Sequence, residues 1–209
     1  MRILQSLALL ALGLVSTFFL IVETSSGARS SVENTLRLDM APSTWRSHAL
    51  MVDCDGFLSG FAKPLMRNGY FSEVLKRCSE LAMDTTKGRP TQGYAWYVHA
   101  IAMSLDGQDE AARQSLRRSQ QITPKESWLT SRRLLWYPDI FEPKDLPLEA
   151  GFWSDARIAL RYQESRRVLA RLYVLHPVLR DEFDTALSDT PGSKALLAEI
   201  NQVLREGEQ

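Results

Sequence analysis

Side chains that could perform catalysis are few in this chain, and their spacing does not assemble a familiar site. The three histidines, His48, His99 and His176, are far apart and lack the spacing of metal ligands. No glycine-rich phosphate-binding loop follows a predicted strand, and no Ser-His-Asp arrangement can be recognised from residue order alone. His99 lies in an apolar stretch, which favours a hydrogen-bonded core histidine over a ligand. We therefore expect no metal ion or other cofactor.

The one pair of carboxylates with a catalytic spacing is Asp53 and Asp55, in the segment LMVDCDGFLSG at residues 50–60. With Gly56 they are too few for a calcium-binding loop. The segment resembles the first motif of haloacid-dehalogenase-type phosphatases, which implies Asp53 as the phosphorylated nucleophile and Asp55 as the acid and base. That family also has a strand before the motif, and a lysine and an acidic pair after it. None of these can be identified in this sequence, and Phe57 stands where the family has a small polar residue. The alternative is a polar turn at the end of a helix.

The only two cysteines, Cys54 and Cys78, are predicted to form a disulfide. The basis is an exported location, argued below, in which disulfides form and persist. The connection between the cysteines contains three glycines and a proline, so it has little packing of its own. Closing a loop of about 24 residues could contribute roughly 3 kcal/mol by loop-closure entropy. If the connection were instead a regular helix paired with the next, the thiols would lie about 10 Å apart and could not bond.

The first element of the chain is an apolar run at residues 3–22, which is twenty residues without a charge. A helix of that length spans a bilayer core of about 30 Å, so we predict a transmembrane anchor over residues 1–23. A cleaved signal peptide is the alternative, because Ser26, Gly27 and Ala28 suit a signal peptidase. Arg2 favours an amino terminus that stays inside. The predicted location is therefore a bacterial inner membrane, crossed once, with the body in the periplasm.

A polar, serine-rich tether is predicted over residues 24–40, and one folded domain over residues 41–209. About 170 residues are enough for a single domain with a real core. The 25 basic and 25 acidic residues cancel, so the overall charge does not indicate a nucleic-acid partner.

Helical periodicity without strand patterns predicts an all-α body. We expect a helix from Pro42 to Gly56, an irregular segment broken by glycine and proline, and a second helix over residues 70–83. After a central hairpin, we expect a helix from Pro124 that Pro138 and Pro143 stop, with a loop from Pro138 to Gly151. The remaining elements are a long amphipathic helix over residues 153–174 with Ile158, Tyr162, Leu169 and Tyr173 facing inward, and two short helices starting at Pro177 and Pro191.

The central hairpin is predicted over residues 93–126, as two antiparallel helices joined at Asp106 and Gly107. Small residues at Ala100 and Ala112 would let the backbones approach closely, and Gly107 would adopt the left-handed turn conformation. The hairpin resembles the tetratricopeptide repeat, a unit of about 34 residues. The matching positions are Trp96, Ala100, Gly107, Ala112 and Pro124, and the departures are His99, Met103 and Ser119. This resemblance implies a TPR-like (tetratricopeptide-repeat-like) stack of helical hairpins, or short α-solenoid; the alternative is an ordinary helical hairpin.

In that family, the first helices of successive repeats line a concave groove. The resemblance places Tyr94, Tyr97, Ile101 and Leu105 on that groove. A groove with two tyrosines would suit a peptide or a helix of another protein. The alternative is that these side chains pack against neighbouring helices.

Arginines on the predicted 153–174 helix form a second candidate binding surface. Four of them fall within one arc of about 120°, opposite the apolar stripe. Such an arc could bind an acidic protein, an anionic lipid or an acidic glycan, or it could be a solvated face. The four residues are Arg157, Arg161, Arg167 and Arg171.

Taken together, these patterns favour a non-enzymatic, membrane-tethered adaptor that binds protein partners on the exported face of the membrane. The layout of anchor, tether and repeat-like domain resembles accessory proteins of cell-envelope or exopolysaccharide assembly. The alternative is an envelope phosphatase that uses Asp53 and Asp55. Magnesium-dependent phosphate release that is lost in an Asp53→Asn variant would favour the phosphatase.

We predict that the full chain stays in the membrane with its body outside the cytoplasm, because the run at residues 3–22 is longer than the apolar core of a signal peptide. Membrane fractionation combined with protease access to spheroplasts measures both properties. A soluble, shortened product would show cleavage near Ala28, and a protease-protected body would reverse the topology.

Overall fold

A computed structural model of the chain describes residues 44–65, 69–141 and 149–207. Within these residues every regular element is helical and none is a strand, so the predicted all-α class is confirmed. The predicted anchor and tether lie outside the described residues, and no helix within them is long and apolar enough to cross a membrane. The α-helices are α1 (Thr44–Leu65), α2 (Gly69–Gly88), α3 (Gly93–Leu105), α4 (Asp109–Ile122), α5 (Ser127–Phe141), α6 (Ala150–Ala159), α7 (Gln163–Leu175), α8 (Arg180–Leu187) and α9 (Ser193–Gly207), with a 3-10 turn at Pro177–Leu179.

The chain divides into two compact units, Met1–Leu81 and Ala82–Gln209. In the first unit, a disulfide joins Cys54 to Cys78, with 5.7 Å between their Cα atoms, so the predicted pairing is confirmed. Phe57 also stacks on Phe71, with 5.8 Å between ring centroids. Later positions in α1 therefore pair with earlier positions in α2, which means that the two helices run antiparallel.

The predicted end of the first helix at Gly56 is wrong, because α1 continues through Gly60 and Pro64 to Leu65. Both glycines lie on the exposed side of α1, where an added Cβ would meet open space. On the opposite side, Met51, Cys54 and Leu58 form a fully buried stripe. Burial of this stripe offsets a cost of about 1 kcal/mol for each glycine in a helix.

The expectation that a regular helix would keep the two thiols apart is also wrong. Cys54 and Cys78 each lie roughly ten residues, or about 15 Å of helix, from the reversal between α1 and α2. Equal distances from a reversal place two positions opposite each other in an antiparallel hairpin. The disulfide therefore closes a hairpin of two regular helices.

In the second unit, α3 and α4 form the predicted central hairpin. Gly107 in the connection has a φ of 76°, the left-handed conformation that was expected there. Ala100 and Ala112 are fully buried between the helices. A hydrogen bond of 2.8 Å joins His99 Nδ1 to Ser115 Oγ, so His99 is the core histidine that the sequence favoured. Burial lowers the pKa of His99, which keeps the imidazole neutral near pH 7.

The helices after the central hairpin pack in a regular order. Helix α3 contacts α4 and α5, α4 contacts α5 and α6, and α5 contacts α6 and α7. Helix α7 also contacts α6 and α9. The helices α3, α5 and α7 therefore lie side by side, with α4 and α6 beside them.

The prediction that Pro138 stops the fifth helix is wrong, because α5 includes Pro138 and ends at Phe141. One contact within the helix and one from α4 stabilise this last turn. Tyr137 stacks on Phe141 with ring centroids 4.9 Å apart, and Arg113 Nε donates to the carbonyl oxygen of Ile140 at 3.3 Å. The bond from Arg113 satisfies a carbonyl that has no partner within the helix.

The predicted long helix over residues 153–174 is also wrong, because it is two helices, α6 and α7, with a turn between them. The carbonyl oxygen of Leu160 accepts a bond of 3.0 Å from Arg166 Nη1. Gly192, with a φ of 101°, lies so close to the same carbonyl that an added Cβ would be 2.8 Å from its oxygen. These contacts engage a carbonyl that a continuous helix would use internally. Tyr162, predicted to face inward, follows the break and is exposed.

We predict that Ala100→Leu destabilises the second unit by about 1–3 kcal/mol, because the extra methylenes have no space between α3 and α4. Ala111 is only half-buried, so Ala111→Leu is the matched control and should cost less. Thermal unfolding of the two variants measures the difference. Equal losses would show that Ala100 is not the close-contact position.

Candidate protein-binding groove

The structure buries most of the predicted tyrosine groove. Tyr94, Tyr97 and Ile101 are all buried, and Leu105 is half-buried. Tyr94 stacks on Tyr97 at 5.9 Å and meets the edge of Trp128 at 4.9 Å. These side chains therefore pack against neighbouring helices, as in the alternative that the sequence left open, and do not line an open surface.

The four predicted arginines do not form one arc, because the turn between α6 and α7 separates them. Arg157 and Arg161 lie at and after the end of α6, and both are exposed. Arg167 on α7 forms an ion pair of 2.6 Å with Glu206 on α9, and Arg171 is exposed. The predicted single arc is therefore wrong, and binding by these four residues stays a prediction.

The carboxylate pair of the phosphatase resemblance lies in the middle of α1. Residues two positions apart on a helix point to different sides, because each residue turns by about 100°. Asp55 is buried and accepts a hydrogen bond of 2.9 Å from Ser59 Oγ, whereas Asp53 is half-buried, which raises its pKa. In the described residues, no three His, Cys, Asp or Glu side chains are grouped so that they could hold a metal ion.

An open groove of about 850 Å³ lies between α5 and the start of α7. Three large side chains exposed by 44–49% line it: Trp128 and Leu135 of α5, and Tyr162 from the turn before α7. We call this surface the α5–α7 groove. Its other lining residues are Ser127, Ser131, Arg132, Arg161, Gln163, Glu164, Ser165 and Val168.

Two serines bring the walls of the α5–α7 groove together. Ser131 Oγ and Ser165 Oγ are 2.6 Å apart, so a hydrogen bond joins α5 directly to α7. Ser131 Oγ also donates to the carbonyl oxygen of Ser127 at 3.1 Å. Side chains this small let the two helices approach closely, which leaves the larger Trp128 and Leu135 standing on either side of the contact.

A buried ion pair positions the wall that α5 contributes. Arg133 of α5 donates from Nε and Nη2 to the two carboxylate oxygens of Asp155 on α6, at 2.7 and 2.8 Å, and neither side chain has any solvent exposure. Burial raises the pKa of Asp155, and the two bonds from Arg133 act in the opposite direction. Further bonds of 3.3–3.5 Å join Arg133 to Ser119, Thr123 and Thr130. This single arginine therefore ties α5 to both α4 and α6.

The sequence interpretation did not assign a binding role to the groove residues or single out Arg133. One signal was present, since Trp128 and Leu135 are seven residues apart and so share one side of a helix. Nothing in the sequence shows that this side is left uncovered. Arg133 lies four residues after Leu129 and four before Tyr137, but Arg132 is related to Trp128 and Leu135 in a similar way, so the periodicity does not decide which arginine is buried.

Comparison of the chain with protein-family models, with curated proteins and with solved structures finds no match.

We predict that Arg133→Met destabilises the second unit by about 3–5 kcal/mol, because it leaves the carboxylate of Asp155 buried without its partner. Removing both charges in Arg133→Met/Asp155→Leu should recover most of that loss. Denaturant unfolding followed by tryptophan fluorescence measures both, with Arg132→Met as the exposed control. A double variant as unstable as Arg133→Met would contradict the role of the ion pair.

Proposed function

We propose that this chain is a non-enzymatic adaptor, tethered to the membrane by residues 3–22, whose helical body binds a protein partner on the exported side. The observation that carries the proposal is the α5–α7 groove. A process such as cell-envelope or exopolysaccharide assembly fits the layout of anchor, tether and helical body.

The packing order of the second unit supports a TPR-like stack. Each of α3, α4 and α5 contacts the next two helices along the chain, which is the order produced when helical hairpins stack on one another. On this interpretation α3, α5 and α7 are the first helices of successive hairpins. The α5–α7 groove then lies on the first-helix surface, the surface where the family resemblance predicts binding. Tyr94 and Tyr97 do not line it, but Tyr94 packs against Trp128, which does.

The composition of the α5–α7 groove supports a protein partner. Tryptophan, tyrosine and arginine are the residues that contribute most often to binding energy at protein interfaces. The groove presents Trp128, Tyr162 and Arg161 on one surface. Within the described part of the chain, Trp128, Leu135 and Tyr162 are three of the eight large hydrophobic side chains that are exposed. Their grouping along one groove is typical of an interaction surface.

The disulfide supports an exported body. Disulfides persist in oxidising compartments such as the periplasm and are rare where thiols are kept reduced. Cys54 and Cys78 pair across α1 and α2, which come after the predicted tether in the chain. No observation favours the alternative phosphatase, whose two aspartates lie within a helix.

We predict that a photo-crosslinking residue at Leu135, in the full chain and in its own membrane, captures a discrete protein partner. Leu204 of α9 has a similar exposure and lies outside the groove, so the same residue at Leu204 is the control. Trp128→Ala and Tyr162→Ala should each weaken capture from Leu135 by about tenfold, as expected for side chains at the centre of an interface. Crosslinking measured by gel mobility and mass spectrometry reports the partner.

Two outcomes would count against the groove as the binding surface. One is equal capture from positions 135 and 204. The other is capture from Leu135 that neither the Trp128 nor the Tyr162 substitution reduces.

A further inference from the structure

A second concave surface lies at the carboxyl-terminal end of the second unit, enclosed by α7, α8 and α9. Its volume is about 370 Å³, within the range of small-molecule sites. We call it the C-terminal cleft. Its apolar lining consists of Tyr173, Phe183, Leu187, Leu196, Leu197 and Ile200. The cleft shares no lining residue with the α5–α7 groove, so its ligand is independent of the adaptor function.

Contacts at both ends of the C-terminal cleft fix the helices that form its walls. Tyr173 Oη donates to Asp184 at 3.3 Å, and Arg180 Nε donates to the carbonyl oxygen of Tyr173 at 3.2 Å, which fixes α8 to the end of α7. Gly192, in the turn before α9, packs against the carbonyl of Leu160. Helix α9 packs along α7. These contacts therefore fix the positions of α7, α8 and α9 around the cleft.

The floor of the cleft is apolar and already withdrawn from water. Phe183, Leu187, Leu196 and Ile200 are each exposed by 2–6%, and Leu197 at the mouth is exposed by 55%. A ligand that enters between them would meet hydrocarbon on several sides. An aliphatic chain is the chemical group that gains most from such walls, because its burial releases water without leaving a polar atom unpaired.

Two charged side chains line the cleft, Asp184 and Lys194, and they differ in whether they have a polar partner. Asp184 already accepts the hydrogen bond from Tyr173, and the guanidinium of Arg180 lies 5.4 Å from the centre of the Tyr173 ring. Lys194 makes no ion pair within the described part of the chain. Its first-turn position in α9 does not help the helix, because a cation there opposes the helix dipole. Ser188 and Ser193 add hydroxyl donors beside it.

We propose that the C-terminal cleft binds a small amphiphile with a single acyl chain and one carboxylate, of the kind represented by a free fatty acid. The chain lies against Phe183, Leu187 and Ile200. The carboxylate accepts hydrogen bonds from Lys194 and from a serine hydroxyl. A neutral head group on the same chain makes no charge-assisted bond to Lys194, and a cationic head group is repelled by Lys194, so both bind more weakly.

The test uses the full chain in lipid nanodiscs and a dansyl-labelled fatty acid, with empty nanodiscs as background. We expect decanoate to displace the label saturably, and decanol and decylamine to do so only at concentrations at least about tenfold higher. Lysophospholipid of the same chain length separates a lipid source from a free fatty acid. Equal or better displacement by the lysophospholipid would overturn the carboxylate ligand.

Substitutions at exposed positions make the test independent of folding. Leu197→Trp blocks the mouth and should abolish displacement, whereas Leu204→Trp, on the same helix but outside the cleft, should leave it unchanged. Lys194→Gln should weaken decanoate binding by about tenfold, the loss of one charge-assisted contact, and should leave decanol unaffected. The same behaviour in both tryptophan variants, or no effect of Lys194→Gln, would overturn the proposal.

Discussion

A buried ion pair on α5 constrains how the helices of the second unit pack, because neither charge can be buried without the other. Arg133 and Asp155 have no solvent exposure, so both charges lost their water when the chain folded. Bonds from Arg133 to both oxygens of Asp155, and to groups on α4 and α5, offset that desolvation. A lysine could not replace the arginine here, because only the planar guanidinium has donors directed toward two carboxylate oxygens and several hydroxyls together.

This ion pair explains how one helix serves both the core and a surface. Arg133 faces inward, and Ser131, two positions earlier, lies on a different side of α5 and bonds to Ser165 of α7. The inward side fixes the rotation of α5. The outward side therefore presents Trp128 and Leu135 in a defined place, which gives the α5–α7 groove its shape.

The turn at residues 160–162 links both concave surfaces. It separates α6 from α7 and places Tyr162 at the edge of the α5–α7 groove. It also leaves the carbonyl of Leu160 available to Arg166 and close to Gly192, whose turn leads into α9 and the C-terminal cleft. One local interruption of a helix thus sets one wall of each surface. A continuous helix over residues 153–174 would form neither of these two walls.

Local pattern in the sequence was sufficient for the all-α class, for the α3–α4 hairpin and for the disulfide. The periodicity of apolar residues predicts helices. A close hairpin is indicated by the small residues Ala100 and Ala112 with Gly107 between them, and two cysteines allow only one pairing. Tertiary contacts decided the rest, because they join residues that are distant in the chain. Burial of the stripe that includes Met51 and Leu58 stabilises α1 as a helix beyond Gly56. Arg113 stabilises the helical turn after Pro138. Arg132 and Arg133 each follow a large apolar residue by four positions, and the packing of α5 against its neighbours, including Asp155 of α6, buries Arg133 and leaves Arg132 exposed.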